Sequence, residues 1–339
     1  MSVNYLYDAA PAKAEIKQLD CGIAWVCLDL PFALDHVNVW LLGGAADSDA
    51  FVIVDTGINS KDTIDVWQQV FDGLGKSPDQ LLATHYHPDH IGLAHWMQHN
   101  MGLQVMMSRR EFEQASAAFS ASDELFSQSQ GAWYRQHGLT EERVEQVGAK
   151  SNSYRKIVSG IPTLDTELKT GSMVAAGNSE WRVITGGGHS PDQVTLYSEK
   201  ENVLIAADQV LPRITPNISL NWYKNENDPL ADFLDSFSAF EALPSDTLVL
   251  PSHGLPFHGL HERLRFLREH HMERLDLLLE ATKKPATASD LLPVLFNREL
   301  DPRQMMFAMG EALAHLRFLE NRQQLGRQTI DGRDFFQRL

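Results

Sequence analysis

The run His85-Tyr86-His87-Pro88-Asp89-His90-Ile91 puts three imidazoles and a carboxylate within six positions. A chain carrying it must deliver those side chains to a site, and the flanking residues say how. Leu81-Leu82-Ala83-Thr84 is short, apolar and ends in a β-branched residue, which predicts a buried strand. From Pro88 to about Asn100 the spacing is helical, and proline suits a first helical turn. The ligand-type residues therefore fall where a strand ends and a helix begins, a common place for a site in a layered α/β fold. His85 and His87 are two apart, so in extended backbone both rings point to one side. Asp89 and His90 follow in the turn and point elsewhere. That arrangement suits two ions side by side better than one ion held four times. Imidazole with carboxylate fits zinc, iron or manganese.

The rest of the chain supplies more of the same residue types at strand ends. Strands are predicted over Cys21 to Leu30, His36 to Leu42 and Phe51 to Val54, with a turn at Gly43-Gly44 and Ala45-Ala46-Asp47. Asp55, in Val54-Asp55-Thr56-Gly57, ends the third of these; if buried it needs partners, and amides of the histidine-rich loop are the expected ones. Lys61 to Leu74 is amphipathic, and Leu103 to Met107 reads as a strand. Residues 109–160 are helical in composition and aromatic-rich (Phe112, Phe119, Phe126, Trp133, Tyr134, Tyr154), and are expected to form a cap that shapes a substrate pocket. Strands resume around Leu168, then at Trp181 to Thr185, Val194 to Tyr197 and Val203 to Ala206. Gly186-Gly187-Gly188 before His189 permits close backbone approach, and Asp208 ends a buried strand. The loop from Leu211 to Leu220 with Trp222-Tyr223 is expected to border the pocket. It makes Arg213 and Tyr223, with Tyr154 of the cap, candidate substrate contacts. A helix over Asp232 to Leu243 and a strand over Thr247 to Leu250 lead to His253. His95 and His99 lack acidic company, His137 precedes Gly138 at a helix-end signal, and His258 and His261 start the next helix, so all five read as structural.

From Leu260 the pattern changes to helix, short helix over Ala288 to Phe296, long helix over Pro302 to Arg322 and a hairpin turning at Asp331-Gly332. This is a winged-helix-like order. The expected division is a catalytic domain over 1–258 and a C-terminal domain over 259–339, the latter for packing or oligomerisation, with a homodimer as the simplest assembly.

With these residues in view, the sequence resembles the metallo-β-lactamase superfamily. His85-Tyr86-His87-Pro88-Asp89-His90 fits its His-x-His-x-Asp-His signature. Asp55, His189 in Gly188-His189-Ser190-Pro191, Asp208 and His253 in Pro251-Ser252-His253-Gly254 follow in the family's order. The resemblance implies a four-layer αββα sandwich and two divalent metal ions, zinc first, with iron or manganese as alternatives. It implies that His85, His87 and His189 hold one ion, that Asp89, His90 and His253 hold the other, and that Asp208 bridges them with Asp55 behind the ligands. Asp89 and Asp208 are then the catalytic carboxylates, around a hydroxide shared by the ions. Redox members of the superfamily tend to carry a glutamate ligand where Pro88 stands, so the chain looks like a hydrolase. The expected substrate is a small thioester, ester or lactone. A phosphodiesterase or endoribonuclease, and an iron-dependent sulfur dioxygenase, are the alternatives.

Composition narrows the partners. The formal net charge is −16, and it is uneven: 16 basic and 33 acidic residues up to His258, 13 and 12 after it. An acidic catalytic domain attracts polyanions poorly, which counts against nucleic acid. No apolar run approaches a membrane span, and Met1 to Lys17 lacks the pattern of an export signal, so a cytoplasmic location is expected. Cys21 and Cys27, six apart in one predicted strand, would lie about 20 Å apart and are expected to be unbridged.

Overall fold

The computed structural model describes residues 3–19, 21–43, 51–148, 152–222 and 228–339. The turn expected at Gly44 to Asp47 and the candidate Tyr223 lie outside the described residues. The chain forms two compact units. The first comprises 1–120, 153–216 and 238–264, and the second 121–152, 217–237 and 265–339.

The first unit is built on two seven-stranded mixed sheets, the α/β class the sequence predicts. One runs in the order Lys17–Gln18, Ile23–Asp29, His36–Leu42, Val52–Val54, Gln80–Leu82, Gln104–Ser108, Thr166–Leu168. The other runs Asn4–Tyr5, Phe257–His258, Leu248–Pro251, Val203–Ala207, Gln193–Ser198, Ser179–Gly186, Met173–Ala176. Side chains alternate across a strand, and in the first sheet both faces are buried. Ile23, Trp25, Trp40 and Leu42 join Trp181, Val183 and Leu196 of the second sheet in one core. Ala24, Val26, Leu28, Val37, Val39 and Leu41 face the other way, into a core with Val66, Trp67 and Val70 of the helix Lys61–Leu74 and Ala115 of the helix Arg109–Ser120. Two-sided burial is why these strands read as nearly unbroken apolar runs.

Three strand pairs in the first sheet are parallel, joining Val52–Val54, Gln80–Leu82, Gln104–Ser108 and Thr166–Leu168 in turn. Val203–Ala207 and Leu248–Pro251 are parallel in the second. Parallel strands need crossovers, so their carboxyl ends gather on one edge. The two sheets are tied there by Asn38 N donating to Ser252 O at 2.7 Å and Val194 N donating to Thr84 O at 2.9 Å.

The helix expected from Pro88 to Asn100 is two pieces, Pro88–Ile91 and Ala94–Met101. Gly92 marks the break. A Cβ there would sit 2.4 Å from the carbonyl oxygens of Gly57 and Pro88, so the backbone approach at this turn excludes every side chain.

The second unit has its own core. The helix Pro302–Asn321 buries Met305, Met309, Leu313, Leu316 and Leu319 along one broad face, and Ala288–Leu295 buries Leu291, Leu292 and Leu295. Both begin with capping boxes, Thr287 with Asp290 and Asp301 with Gln304, which satisfy amide donors that a helix start leaves over. The hairpin Leu325–Ile330 and Arg333–Arg338 turns at Asp331 and Gly332, both with positive φ, as a two-residue turn of this hand requires. The 109–160 stretch divides between the units. Its first helix, Arg109–Ser120, and the short helix Tyr154–Ile157 belong to the first, while Asp123–Gln136 and Glu141–Val147 belong to the second.

Candidate metal centre

Every ligand-type residue singled out above follows the end of a strand. His85 to His90 come after Gln80–Leu82, His189 after Ser179–Gly186, Asp208 after Val203–Ala207 and His253 after Leu248–Pro251. The fold brings all seven together in two groups: His85, His87, His189 and Asp208, and Asp89, His90 and His253, with the donor atoms within each group no more than 4.8 Å apart. Asp208 faces both. Its Oδ2 lies 3.2 Å from His189 Nε2, while its Oδ1 lies 3.3 Å from His253 Nε2 and 3.7 Å from His90 Nε2. Asp89 Oδ2 stands 3.5 Å from His253 Nε2 and 3.6 Å from His90 Nε2.

The surrounding hydrogen bonds decide which ring nitrogen points inward. Asp55, held at φ +65°, accepts from Thr84 N and Thr84 Oγ1, each at 2.8 Å, and from His90 Nδ1 at 2.7 Å. Since the Thr84 hydroxyl proton goes to Asp55, Thr84 Oγ1 is left to accept from His85 Nδ1 at 3.0 Å. His253 Nδ1 donates to His36 O at 2.6 Å. With their Nδ1 protons so committed, His85, His90 and His253 all turn an Nε2 lone pair toward the site, the tautomer a metal ligand needs. The His253 loop is pinned in turn by Asn38, whose amide donates to Pro251 O and Gly254 O and accepts from Trp25 Nε1.

The electrostatics favour a cation. Burial drives the His85 imidazole well below its usual range, with His90 and His87 adding to the effect. Burial also opposes charge on His90, but Asp89, Asp55 and Asp208 outweigh it and raise that ring to about 10. His253 is raised in the same way, against burial, by Asp208 and Asp89. Burial would raise the Asp208 carboxyl, yet the neighbouring His253 and His90, with His189 close by, hold it well below the ordinary carboxylate range. His90 Nε2, His253 Nε2 and Asp208 Oδ1 are buried, face one another and have no hydrogen-bond partner among the described residues. Such atoms are costly to bury unless something between them is bound. Divalent cations fit this donor set, displacing protons from the rings.

Residues that sequence reasoning did not pick out complete the frame. Glu111, on the helix Arg109–Ser120, accepts from Tyr86 N, Ser190 Oγ and Asp192 N. Gln209 donates to Gly187 O and fills the space over Gly186, where a Cβ would lie 2.4 Å from its amide carbon. Arg263 is fully buried and donates to Leu211 O and Ile214 O, holding the loop that follows Asp208. None carries a local sequence signal. Arg213 is exposed in that loop. Tyr154, expected to meet substrate, is instead buried, and its hydroxyl donates to Tyr86 O at 2.6 Å. That position braces the histidine-rich loop from behind.

Asp55 gives a direct check on the tautomer scheme. Asp55→Asn would set an amide donor or a weaker acceptor against the His90 Nδ1 proton. Metal affinity should fall about 10–100-fold with the fold intact, read by competition with a chelating dye. An unchanged affinity would remove Asp55 from the ligand frame.

The fold and this donor set define a metal-dependent hydrolase. The chain belongs to the metallo-β-lactamase superfamily: that family's model matches residues 33–253, and a model of a metallo-β-lactamase-like C-terminal domain matches residues 275–339. It is similar to the crystal structure of a β-lactamase domain protein from Burkholderia ambifaria, with 37% identity, 99% of this chain and 98% of that one covered, and a TM-score of 0.90. A metallo-β-lactamase family protein from Thermus thermophilus is 29% identical, covering 94% of this chain and 99% of that one with a TM-score of 0.79. Among curated proteins it is similar to a probable metallo-hydrolase of Bacillus subtilis (strain 168), 25% identical over 310 residues, 86% of this chain and 89% of that protein. It is also similar to an acyl-coenzyme A thioesterase of Gallus gallus, 23% identical over 247 residues, 70% of this chain and 79% of that protein. No helix among the described residues is long and apolar enough to cross a membrane.

Proposed function

We propose that the chain is a two-metal hydrolase of a small substrate with an ester-like bond, a thioester, ester or lactone. The observation that carries the reading is Asp208, with one carboxylate oxygen turned to His189 and the other to His90 and His253. Held by His85, His87, His189 and Asp208 on one side and Asp89, His90, His253 and Asp208 on the other, two ions, zinc first, would supply Lewis acidity and lower the pKa of water toward neutrality. The chain's own residues supply the rest. Asp55, Thr84 and the His36 carbonyl fix the ring tautomers. Asp89 and Asp208 keep negative charge where the cations sit and leave them open to a substrate oxygen. Pro88 cannot ligate, which favours hydrolysis over redox chemistry. The name of the thioesterase relative supports an acyl substrate, and the acidic composition up to His258 argues against a polyanion. In this reading Arg213 borders the pocket, and Tyr223, outside the described residues, stays a candidate substrate contact. The C-terminal helices and hairpin form a winged-helix-like packing module.

The test is a hydrolysis panel. Zinc- and manganese-loaded protein would be assayed against acyl thioesters, lactones and an activated phosphodiester, with Asp208→Ala as the blank. Turnover of thioesters or lactones alone is expected. Turnover of the phosphodiester alone would overturn the substrate class.

A further inference from the structure

We propose that Glu111 is a positioning residue that locks together the two loops supplying His85, His87 and His189, and so sets the affinity of one ion subsite independently of the other. The proposal rests on the two-ion reading above.

Glu111 has no exposed surface. A buried carboxylate is costly unless its lone pairs are used, and here both oxygens are. Oε2 accepts from Tyr86 N at 3.0 Å, the amide between His85 and His87. Oε1 accepts from Ser190 Oγ and from Asp192 N, each at 2.6 Å, next to and three residues beyond His189. The same knot is tightened by Ser108, whose hydroxyl donates to Asp192 O at 2.8 Å and accepts from Glu111 N at 3.4 Å. One side chain thus spans from the first sheet's loop to the second's, where all three imidazoles of one donor group are carried. The other group is framed differently: His90 by Asp55 and His253 by the His36 carbonyl. Hydrogen bonds from amides to a carboxylate are short and strong. Only a carboxylate can serve here, because donors approach both of its oxygens. In Glu111→Gln the new NH₂ must face either Tyr86 N–H or the Ser190 and Asp192 donors. One loop is then released while side-chain volume is unchanged.

The experiment titrates metal-free full-length protein with cobalt(II). It follows ligand-field absorption, counts bound ions by mass spectrometry and records the melting temperature of the metal-free protein. Wild type should take up two ions. Glu111→Gln should weaken one binding event about 10–100-fold, the scale of residues that orient ligands, and leave the other in place. Ser190→Ala, which removes one of three bonds, should weaken the same event by less, and it carries the test if Glu111→Gln does not fold. Two uptake events weakened equally, or neither, in a variant of lowered melting temperature would make Glu111 a general structural residue and overturn the proposal. Uptake of fewer than two ions by wild type would overturn the two-ion reading and this proposal together.

Discussion

Asp208→Ala should lose turnover by about 10³-fold or more and retain less than the wild-type complement of metal. Among the described residues, Asp208 is the carboxylate that faces both donor groups, at 3.2 Å from His189 Nε2 and 3.3 Å from His253 Nε2. Its removal takes an anionic donor from each side at once. The charge stabilisation that bound divalent ions provide is worth several kcal/mol, and each 1.36 kcal/mol is a factor of ten in rate. Asp208→Asn separates charge from shape. It keeps the packing under the site but only one acceptor oxygen, so it should fold as wild type and still lose most of the rate. The measurements are kcat/KM on whichever panel substrate turns over and metal content after gel filtration. Full occupancy with normal turnover would overturn the proposed bridging role of Asp208.

How much of this was legible in the sequence follows from the distance over which each feature is encoded. The histidine-rich run is local: strand, ligands and helix start lie within twenty residues, and the periodicities of 2 and 3.6 frame them. Asp55, His189, Asp208 and His253 lie far apart in the chain, and it was the resemblance to the superfamily, with their place near strand ends in its support, that joined them to the histidine-rich run. Glu111 gave no such signal, because what defines it is contact with residues 25, 79 and 81 positions away. Asn38 is similar, a polar residue inside an apolar strand whose partners lie more than 200 positions on. The strand pairs Asn4–Tyr5 with Phe257–His258 and Lys17–Gln18 with Ala24 and Trp25 are too short to show a period. The helices of 109–160 were visible as helices, but amphipathicity says only that a face is buried and not against which core. Phe112 and Phe119 pack on the first unit's core, whereas the helix that carries Tyr134 falls in the second unit. The burial of Tyr154 and the bond from its hydroxyl to Tyr86 O were hidden for the same reason, since aromatic character does not say what a side chain packs against.

Lowering the pH from 7.5 to 4.5 should destabilise the second unit through histidines buried without charge. His137 caps the helix Asp123–Gln136 and is buried, with neither ring nitrogen hydrogen-bonded among the described residues. Burial, against the pull of Asp334 and with Arg327 and Arg317 adding to it, drives its pKa down to about 4. Asp334 Oδ2 lies 4.0 Å away but is already engaged by Gln136 and Arg327, and Oδ1 by Thr329. A second site pairs His271 Nδ1 with His315 Nε2 at 3.1 Å, and His315 Nδ1 donates to Glu311 O at 2.7 Å. This fixes a chain of neutral tautomers. Burial and the neighbouring His315, His270 and Arg274 lower His271 to about 2. Burial lowers His315 to about 4, opposed by its bond to Glu311 and aided by Arg274 and His270. Each of these rings takes up a proton more readily unfolded, near pH 6.5, than folded. The unfolded state therefore binds more protons between the two values. The stabilising contribution is whole above pH 6.5 and declines as the pH falls toward 4. For His137 alone the loss reaches roughly 2 kcal/mol at pH 5. Glu311 opposes the trend, because burial, only partly offset by Arg274, raises its carboxyl, and a carboxyl raised in the folded state binds its proton there first. Three lowered histidines outweigh it. Urea unfolding across this range should lose stability with falling pH in wild type and follow a shallower slope in His137→Gln, by up to about 1.4 kcal/mol per pH unit. Parallel slopes would mean that folding does not lower the His137 pKa and that the ring makes no contribution to the pH dependence.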